Sequence, residues 1–437
     1  MGGCILRRRP YPFVGAPKTD ATSYREENAD VNAQIRSTPT KTKDVRIEYH
    51  LEHSVHIATV TMQVNMTIRV TMLVDSPSRR AHGNAASRLA LGLTETGQAE
   101  ATLLCYSADP PPQWLPSVVQ IHRLGADRAS RSFPGIVRYL RAQKPDVLIT
   151  RQMHANFVGL AASWVARALP GWKGKLVLVQ DHPVEFAYAG NWRDNKWAAK
   201  ICYRFADGLI CPSPAVRESA IAWCGLDPSS VAVVPNPIPR FSGTLTSPPH
   251  PWLQDNAVPV FVHASNLTHW KRPDLLIEAF AEVRQCHEAR LLILGEGELR
   301  AYADEQIRRL GLSADAVTVG WTDEPLQFVG RAWAFVLTSD VEGFGQVLTE
   351  AMSVGCPVIA TDARGGGPRF VTDNGRSGLL VPRGDRVKLA EAMTRMLQPD
   401  VRAEYSQLGS NRIEAMSPIA SANALVDFLK EQLQLER

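Results

Sequence analysis

Short apolar runs alternate with longer segments of helical period from about residue 66 onward. The first clear run is Ile68–Val74, which ends at the turn residues Asp75-Ser76-Pro77. Such alternation is typical of βαβ units and predicts a mostly parallel sheet. Further strands are expected at 101–105, 146–150, 175–179, 208–211 and 231–234, with helices between them at 84–97, 132–143, 155–168, 195–205 and 214–223.

The alternation stops at a Pro-rich stretch and then begins again. Pro235 to Pro239 and the following Ser/Thr/Pro-rich residues predict a linker at 241–257. The second round predicts strands at 259–263, 290–294, 316–319, 334–337, 357–360 and 378–381, and helices at 273–286, 298–310, 324–331, 345–354 and 386–397. The chain therefore has an α/β pattern with two doubly wound domains, 66–240 and 258–415, and such sheets bind ligands beyond the carboxyl ends of their strands.

The two ends of the chain differ from this pattern. Residues 1–50 contain only eight Leu, Ile, Val or Phe and show no period, so we expect residues 1–65 to be a disordered extension. Whether this extension belongs to the functional protein is left open by Met62 and Met66, either of which could start the chain. Residues 419–434 form an amphipathic stretch, and we expect the terminal segment 416–437 to cross back to the first domain.

Composition excludes several classes of function. The 48 Lys and Arg nearly balance the 44 Asp and Glu, leaving a net charge of +4, which disfavours a nucleic-acid partner. Seven scattered cysteines without a Cys-x-x-Cys pair predict neither a disulfide framework nor a zinc site, and indicate a reducing, cytoplasmic compartment. No apolar run is long enough for a membrane-spanning helix.

The stretch with the most chemical information follows the apolar run Ala334–Leu337. Glu342 lies in the expected loop, and Glu350 lies about one and a half turns into the next helix. Gly343 and Gly345 allow a ligand to approach the backbone, and the amides at the helix start suit an anion or a sugar hydroxyl. Paired carboxylates can hold sugar hydroxyls. The alternative is a loop charge and a solvated helix charge that happen to have this spacing.

This stretch, continued by Ala351-Met352 and Gly355-Cys356-Pro357-Val358, resembles the donor-site motif of retaining GT-B glycosyltransferases. The similarity is to glycosyltransferase family four, or glycosyl transferases group 1. It extends over residues 66 onward through Ala206–Ile210, Val234–Ile238, Lys271–Leu276 and Gly378–Pro382. It implies two Rossmann-like domains that face a central cleft.

The resemblance also implies roles for single residues on the donor side. Glu350 matches the acid that binds the ribose, Glu342 the acid beside the transferred sugar, and Lys271 the lysine on the diphosphate. The family's arginine five residues earlier is Asn266 here, which leaves Arg272 or backbone amides to complete the phosphate clamp. Other implied donor contacts are Gly343, Phe344 and Gly345, with Gly83 as the remnant of a Gly-Gly pair; Trp321 is assigned either to the base pocket or to aromatic packing.

On the first-domain side, His182 resembles the histidine that faces the sugar in this family. His154 and Asn156 are acceptor candidates, with helix capping as the alternative. Arg79, Arg80 and His82 are candidates for acceptor or phosphate contacts, with solvated surface as the alternative.

The resemblance implies a retaining, front-face glycosyltransferase. It is expected to move a hexose or N-acetylhexosamine from a nucleoside-diphosphate sugar to a glycan, lipid-linked or small-molecule acceptor. Because no Asp-x-Asp and no ligand cluster occurs, we expect no metal and no cofactor beyond the nucleotide sugar. A nucleotide-sugar epimerase and a non-catalytic nucleotide-sugar-binding protein are the alternatives.

A membrane partner is a separate hypothesis. Arg131, Arg138, Arg141 and Lys144, together with the stretch Trp192–Trp197, combine basic and aromatic residues in a way that suits an anionic lipid surface. This would place the protein at the inner face of a membrane in peripheral contact. Solvated helix faces are the alternative.

Overall fold

The computed structural model describes residues 43–51, 54–62, 67–78, 80–169, 171–186, 197, 199–238, 245, 248–255, 257–431 and 433–434. For residues 43–62 and 80–81 it describes the backbone only. The chain divides into two compact units, residues 1–65 and 66–437.

The first unit contains an antiparallel hairpin. Strands β1 (Lys43–Leu51) and β2 (Ser54–Met62) pair in register from Lys43 opposite Met62 to Leu51 opposite Ser54. The prediction of disorder over 1–65 is therefore wrong for these residues, and the rest of that segment lies outside the described residues. The signal that was missed is a period of two, in which Val45, Ile47, Tyr49 and Leu51 alternate with charged or polar residues.

The second unit contains two parallel sheets, which are the two Rossmann-like domains. The seven-stranded sheet has the order β5-β4-β3-β6-β7-β8-β9 and the six-stranded sheet the order β12-β11-β10-β13-β14-β15. In each, the first strand of the domain is central and later strands extend to both sides, as in doubly wound folds. The strands of the first sheet are β3 (Ile68–Val74), β4 (Ala99–Cys105), β5 (Gln120–Arg123), β6 (Val147–Arg151), β7 (Lys175–Val179), β8 (Gly208–Cys211) and β9 (Val231–Val233). Those of the second are β10 (Val260–Ala264), β11 (Arg290–Leu294), β12 (Ala316–Gly320), β13 (Ala334–Leu337), β14 (Val358–Thr361) and β15 (Leu379–Val381).

Helices cover both faces of each sheet. Those of the first domain are α1 (Arg80–Thr96), α2 (Phe133–Gln143), α3 (Met153–Ala168) and α4 (Pro214–Cys224). Those that follow are α5 (Pro273–Cys286), α6 (Arg300–Arg309), α7 (Pro325–Val329), α8 (Gln346–Ser353), α9 (Gly367–Val371), α10 (Arg386–Met396), α11 (Pro399–Ile413) and α12 (Pro418–Glu431). Of the helix expected at 195–205, residues 197 and 199–202 are helical and Tyr203–Phe205 forms a 3-10 turn.

Strand β5 and helix α11 are among the elements that the sequence pattern did not predict. Strand β5 at the edge of the first sheet has the sequence Gln-Ile-His-Arg and no buried residue, so it has no apolar run. Helix α11 buries only Tyr405 and Gly409, which is too little for a helical period to stand out. Within the predicted linker, Pro251–Leu253 forms a 3-10 turn.

Helix α12 packs on the first domain although it follows the second in sequence. Its buried residues Leu425, Val426 and Phe428 belong to the same apolar cluster as Val70 of β3 and Leu93 of α1. Where α12 begins, the carbonyl of Pro418 lies so close to Gly92 of α1 that a Cβ there would be 2.1 Å away. The chain end thus ties the two domains together.

No helix among the described residues is long and apolar enough to cross a membrane. The six cysteines described by the structure are free thiols. Four of them are buried, and burial raises the pKa of Cys105 and Cys356 to about 12.

Candidate active site

Loops at the carboxyl ends of the two sheets touch each other through glycines. A Cβ on Gly343, after β13, would lie 2.1 Å from the carbonyl oxygen of Asp181, after β7. Ser213 Oγ, after β8, donates a hydrogen bond of 2.8 Å to the carbonyl of Gly343. Only a residue without a side chain permits this approach of two backbones. The cleft edge is therefore built from the strand ends of both domains.

The centre of the cleft is an ion pair between Lys271 and Glu342. Lys271 ends a 3-10 turn after β10, and its Nζ lies 2.5 Å from Glu342 Oε2. The Lys271 carbonyl accepts a hydrogen bond from Thr338 Oγ1 at 2.8 Å, which ties the turn to the end of β13. Burial by itself would raise the pKa of Glu342, but Lys271, with His182 and Ser339, holds this pKa below its ordinary value. Glu342 is thus a carboxylate at neutral pH.

His182 faces this pair from the first domain. Its carbonyl accepts a hydrogen bond of 2.5 Å from Gln180 Nε2, which fixes the backbone after β7. The residue is exposed to solvent, although the protein around it removes part of its hydration. This desolvation lowers the pKa of His182, while the nearby Glu342 carboxylate acts in the opposite direction. The imidazole is therefore neutral at neutral pH and can both donate and accept one hydrogen bond.

Glu350 projects from α8, which begins after Gly345 with its left-handed φ of 87°. Gln346 Nε2 donates to Glu350 Oε1 at 3.2 Å, and Arg88 Nη1 from α1 lies 3.7 Å from the same oxygen. Burial raises the pKa of Glu350, against the opposing effect of Arg88. The two acids of the motif therefore have opposite pKa shifts, because only Glu342 has a cation at contact distance.

A buried polar network supports the first-domain side. Arg151, at the end of β6, donates to Asp181 Oδ2 from Nε at 3.0 Å and to Asn236 Oδ1 from Nη2 at 2.8 Å. His82 Nδ1 lies 3.2 Å from Asp181 Oδ2. Burial opposes ionisation of Asp181, yet Arg151, and then His82, holds its pKa far below the ordinary range. The network joins the ends of three strands to the start of α1.

Two models of known families match successive parts of the chain. The model described as Glycosyltransferase Family 4 matches residues 83–240, and the one described as Glycosyl transferases group 1 matches residues 250–414. The chain is a GT-B glycosyltransferase of the group 1 and family 4 type.

Curated relatives of the glycosyltransferase are moderately similar. It is 27% identical over 267 residues to a lipopolysaccharide core biosynthesis glycosyltransferase of Rhizobium meliloti, over 59% of this chain and 67% of that one. It is 25% identical over 238 residues to an N-acetylgalactosaminyltransferase of Campylobacter jejuni that acts on a diphospho-undecaprenol-linked sugar, over 54% of this chain and 63% of the other.

A solved structure has the same fold. The Anabaena protein HepE, in complex with UDP and glucose, superimposes with a TM-score of 0.68 at 20% identity, covering 83% of this chain and 99% of HepE. At this identity the likeness concerns the fold alone. It agrees with the two parallel sheets described above.

Arg272 and Asn266 are both predicted donor residues of the glycosyltransferase, and Arg272 is expected to complete the phosphate clamp around Lys271. In the structure, neither side chain contacts Lys271 or Glu342 among the described hydrogen bonds and ion pairs. Arg272 binds Asp274 through Nε at 2.9 Å and lies 3.5 Å from Asp340, so its charge is already neutralised. Asn266 is exposed, and its carbonyl accepts a hydrogen bond from the amide of Thr268.

Other predicted donor residues have mixed placements. Phe344 is buried and packs near Phe370. A Cβ on Gly83 would lie 2.2 Å from the carbonyl of Ser76, so this glycine is required by the packing of α1 on its own loop. Trp321 is 67% exposed and donates to Asp323 Oδ1, which is inconsistent with the alternative of aromatic packing.

The acceptor candidates are also divided. The structure contradicts the prediction that Asn156 contacts the acceptor. Asn156 is 1% exposed, accepts a hydrogen bond from Thr150 Oγ1 at 2.7 Å and donates one to the Val179 carbonyl. It therefore stabilises the domain interior, and it neither reaches the cleft nor caps α3. His154 is exposed, with Nε2 3.0 Å from the Tyr106 hydroxyl. Arg79 lies outside the described residues, and only the backbone of Arg80 is described.

Sequence reasoning missed Arg88, Asp181 and Arg151. Asp181 precedes His182 and could have been chosen for that reason, but Arg88 is one arginine in a helix and Arg151 ends an apolar strand. Their roles arise from partners that lie 30 or more positions away in sequence. Among the described residues, no group of three or more His, Cys, Asp and Glu gathers as a metal site.

Proposed function

We propose that the chain is a retaining, metal-independent hexosyltransferase. It moves a hexose or N-acetylhexosamine from a nucleoside-diphosphate sugar to a glycan or lipid-linked acceptor. The observation that carries the proposal is the Lys271–Glu342 pair, 2.5 Å apart and facing His182 across the cleft. The UDP and glucose bound to the Anabaena protein support a nucleotide sugar as donor.

The donor would lie along the loop and helix that join the two glutamates. Glu350 would accept hydrogen bonds from the ribose hydroxyls, and the free amides at the start of α8 would face the diphosphate. Lys271 would turn from Glu342 toward the phosphate oxygens, and Glu342 would then bind hydroxyls of the transferred sugar. The ion pair thus holds both side chains ready in the cleft.

The chemistry needs no nucleophile from the protein. The bond between the anomeric carbon and the diphosphate oxygen breaks, and the acceptor oxygen bonds to that carbon from the same face. The acceptor proton passes to the departing diphosphate. Lys271 stabilises the charge that develops on this leaving group, which is the main electrostatic demand of the transition state. Neutral His182 can hold a sugar hydroxyl without repelling an oxocarbenium-like carbon.

The first experiment screens UDP-, GDP-, ADP- and dTDP-sugars for thermal stabilisation, since a ligand that binds only the folded chain raises its stability. The stabilising donor is then assayed with candidate acceptors, and the anomeric configuration of the product is read by NMR. We expect retention, and a loss of at least about 100-fold in kcat for Glu342→Gln. Glu305→Gln, on the exposed face of α6, is the matched control.

Three outcomes would contradict the proposal. An inverted product would refute the retaining mechanism. Interconversion of the donor with its epimer, without any acceptor, would identify an epimerase. Binding without turnover, unchanged by Glu342→Gln, would indicate a nucleotide-sugar-binding protein.

A lipid-linked acceptor is supported by the surface of the first domain. Trp164 and Phe205 are about half exposed and their rings meet edge to face at 5.2 Å, with Ile201 59% exposed. Arg138 and Arg141 of α2 line a groove together with Val165. Arg131, another basic residue expected on this surface, pairs with Asp127. The aromatic and basic stretch from Trp192 to Lys196 lies outside the described residues.

Vesicle binding tests this proposal. We expect co-sedimentation with phosphatidylglycerol vesicles at low salt, weakened by salt and by the double change Trp164→Ser and Phe205→Ser. Trp223→Ser, an exposed tryptophan on α4, is the control. Equal binding to neutral phosphatidylcholine vesicles, or none to either, would refute membrane contact.

A further inference from the structure

Arg88 reaches from the first domain to an acid of the second. It lies on α1, is only 8% exposed, and places Nη1 3.7 Å from Glu350 Oε1 on α8. Its guanidinium carbon also lies 5.6 Å from the centre of the Trp114 ring. A buried arginine is costly unless it is fully paired, so its position in the cleft requires an explanation.

The contact between Arg88 and Glu350 is incomplete. At 3.7 Å it is too long for a hydrogen bond, and Arg88 Nη1 is buried without a hydrogen-bond partner among the described residues. Burial lowers the pKa of Arg88 and raises that of Glu350, each against the opposing effect of its partner. A polar ligand that reached Arg88 would satisfy a donor that the described residues leave without a partner.

Two other cations near the donor loop already have carboxylate partners. Lys271 lies 2.5 Å from Glu342, and Arg272 is held by Asp274 and Asp340. The position five residues before Lys271 is occupied by the uncharged Asn266. A diphosphate carries two or more negative charges, so one lysine leaves it undercompensated. Arg88 is a cation with an unused donor beside the residue that would hold the ribose.

We propose that Arg88 is a donor-binding residue that supplies the second positive charge for the nucleotide. Its guanidinium contacts the phosphate adjoining the ribose that Glu350 binds, in place of a basic residue at position 266. This rests on the proposed function, because it assumes a nucleoside diphosphate in the cleft. Since Arg88 and Glu350 belong to different domains, the nucleotide bridges them and its binding favours the closed arrangement.

The test compares ligands that differ only in phosphate. Uridine, UMP and UDP, and the matching guanosine and adenosine series, are titrated into the full chain by calorimetry. A hydrogen bond to a charged group contributes about 1.5–3 kcal/mol, so Arg88→Gln should weaken UDP, or whichever diphosphate binds, by roughly 10- to 150-fold. Binding of the nucleoside should change by less than about threefold, and Arg88→Lys should recover part of the loss.

Arg284→Gln is the matched control. Arg284 on α5 pairs with Asp315 at 2.8 Å, so the change also breaks an arginine–aspartate pair. If Arg88→Gln does not fold, Arg88→Lys carries the test, because it also loses the forked contact. Equal weakening of nucleoside and diphosphate, or unchanged binding of both, would overturn the role of Arg88 while leaving the proposed function intact. Absence of binding of every nucleotide to the wild-type chain would instead refute the proposed function.

Discussion

At the scale of single residues, the site consists of charges whose behaviour depends on how completely they are paired. Glu342 and Glu350 come from one loop and helix and both are surrounded by protein, yet the pKa of Glu342 is lowered and that of Glu350 is raised. The difference is the distance to the cation, 2.5 Å for Lys271 and 3.7 Å for Arg88. Pairing geometry therefore decides which acid is firmly ionised.

Removing Lys271 should destabilise the chain through the charge it leaves behind. Lys271→Ala leaves Glu342 buried without its cation, and breaking such a pair typically costs about 3 kcal/mol or more. Burial then raises the pKa of Glu342, so this loss is greatest at about pH 7 and diminishes as the pH falls through the raised pKa. Urea unfolding across this pH range measures the effect.

The double variant Lys271→Ala with Glu342→Gln is the control for this prediction. Because it carries no unpaired charge, it should be more stable than Lys271→Ala at neutral pH, and the two should converge in acid. In the wild type the pH dependence of stability has the opposite sign. Because the pKa of Glu342 is lowered, the ion pair stabilises the folded chain above the ordinary carboxyl pKa. This stability is lost as the pH falls through the lowered pKa. A constant difference between the variants at all pH values would contradict the prediction.

Nucleoside binding should depend on pH through Glu350. The carboxylate accepts hydrogen bonds from ribose hydroxyls better than the protonated acid does, and the pKa of Glu350 lies above its ordinary value. Affinity for the nucleoside should therefore fall about tenfold as the pH is lowered through this raised pKa. Glu350→Gln should bind weakly and without pH dependence, whereas Glu342→Gln should retain the dependence; calorimetry decides.

At the scale of elements, α12 is the part whose role depends most on long-range packing. Its polar face lies outside while Leu425, Val426 and Phe428 fill the core of the first domain. A helix of 14 residues has little stability by itself, so its order comes from this contact. The C-terminal segment thereby closes a domain that begins more than 300 residues earlier.

Truncating one core side chain of α12 tests this. Leu425 is fully buried, and Leu425→Ala should lower the free energy of unfolding by about 2–5 kcal/mol. Ile419→Ala on the same helix should cost far less, because Ile419 is 38% exposed. Chemical denaturation of both variants measures the difference. Equal effects would show that α12 does not depend on this core.

At the scale of the whole molecule, loops of the two domains meet at residues without side chains. Gly343 faces the backbone of Asp181, and Gly365 comes close to Pro183 in the same region. Backbone-to-backbone contacts leave no flexible group that can move aside. We therefore expect the approach of the Glu342 loop to the loop after β7 to be sensitive to a single methyl group.

We expect Gly343→Ala to separate the domains without unfolding either sheet. Its Cβ would come within 2.1 Å of the Asp181 carbonyl, so the loops must move by about 1 Å, and misplacement of that size can cost about 100-fold in rate. Gly135→Ala in α2 is the control, since its Cβ would meet only the Leu124 side chain. Steady-state kinetics and circular dichroism measure the two effects; near-normal activity with Gly343→Ala would contradict the closed geometry.

The sequence by itself determined the local elements, because period and turn residues are properties of neighbouring positions. The bounds of β7, β8, β11, β13 and α5 follow from apolar runs and their ends, and the α/β architecture follows from their alternation. The order and spacing of Glu342, Gly343, Gly345 and Glu350 similarly placed the donor loop at a strand end. Weakly patterned segments such as β5 and α11 were missed for the same physical reason.

The tertiary structure decided which charges meet. Arg272 pairs with Asp274 and Asp340, and Asn156 turns into the interior, and neither arrangement is visible in the sequence. Arg88 approaches Glu350 across 262 positions of chain, a relation that no local pattern contains. Pairing of this kind depends on how two separately encoded domains close on each other, and so only the folded chain shows it.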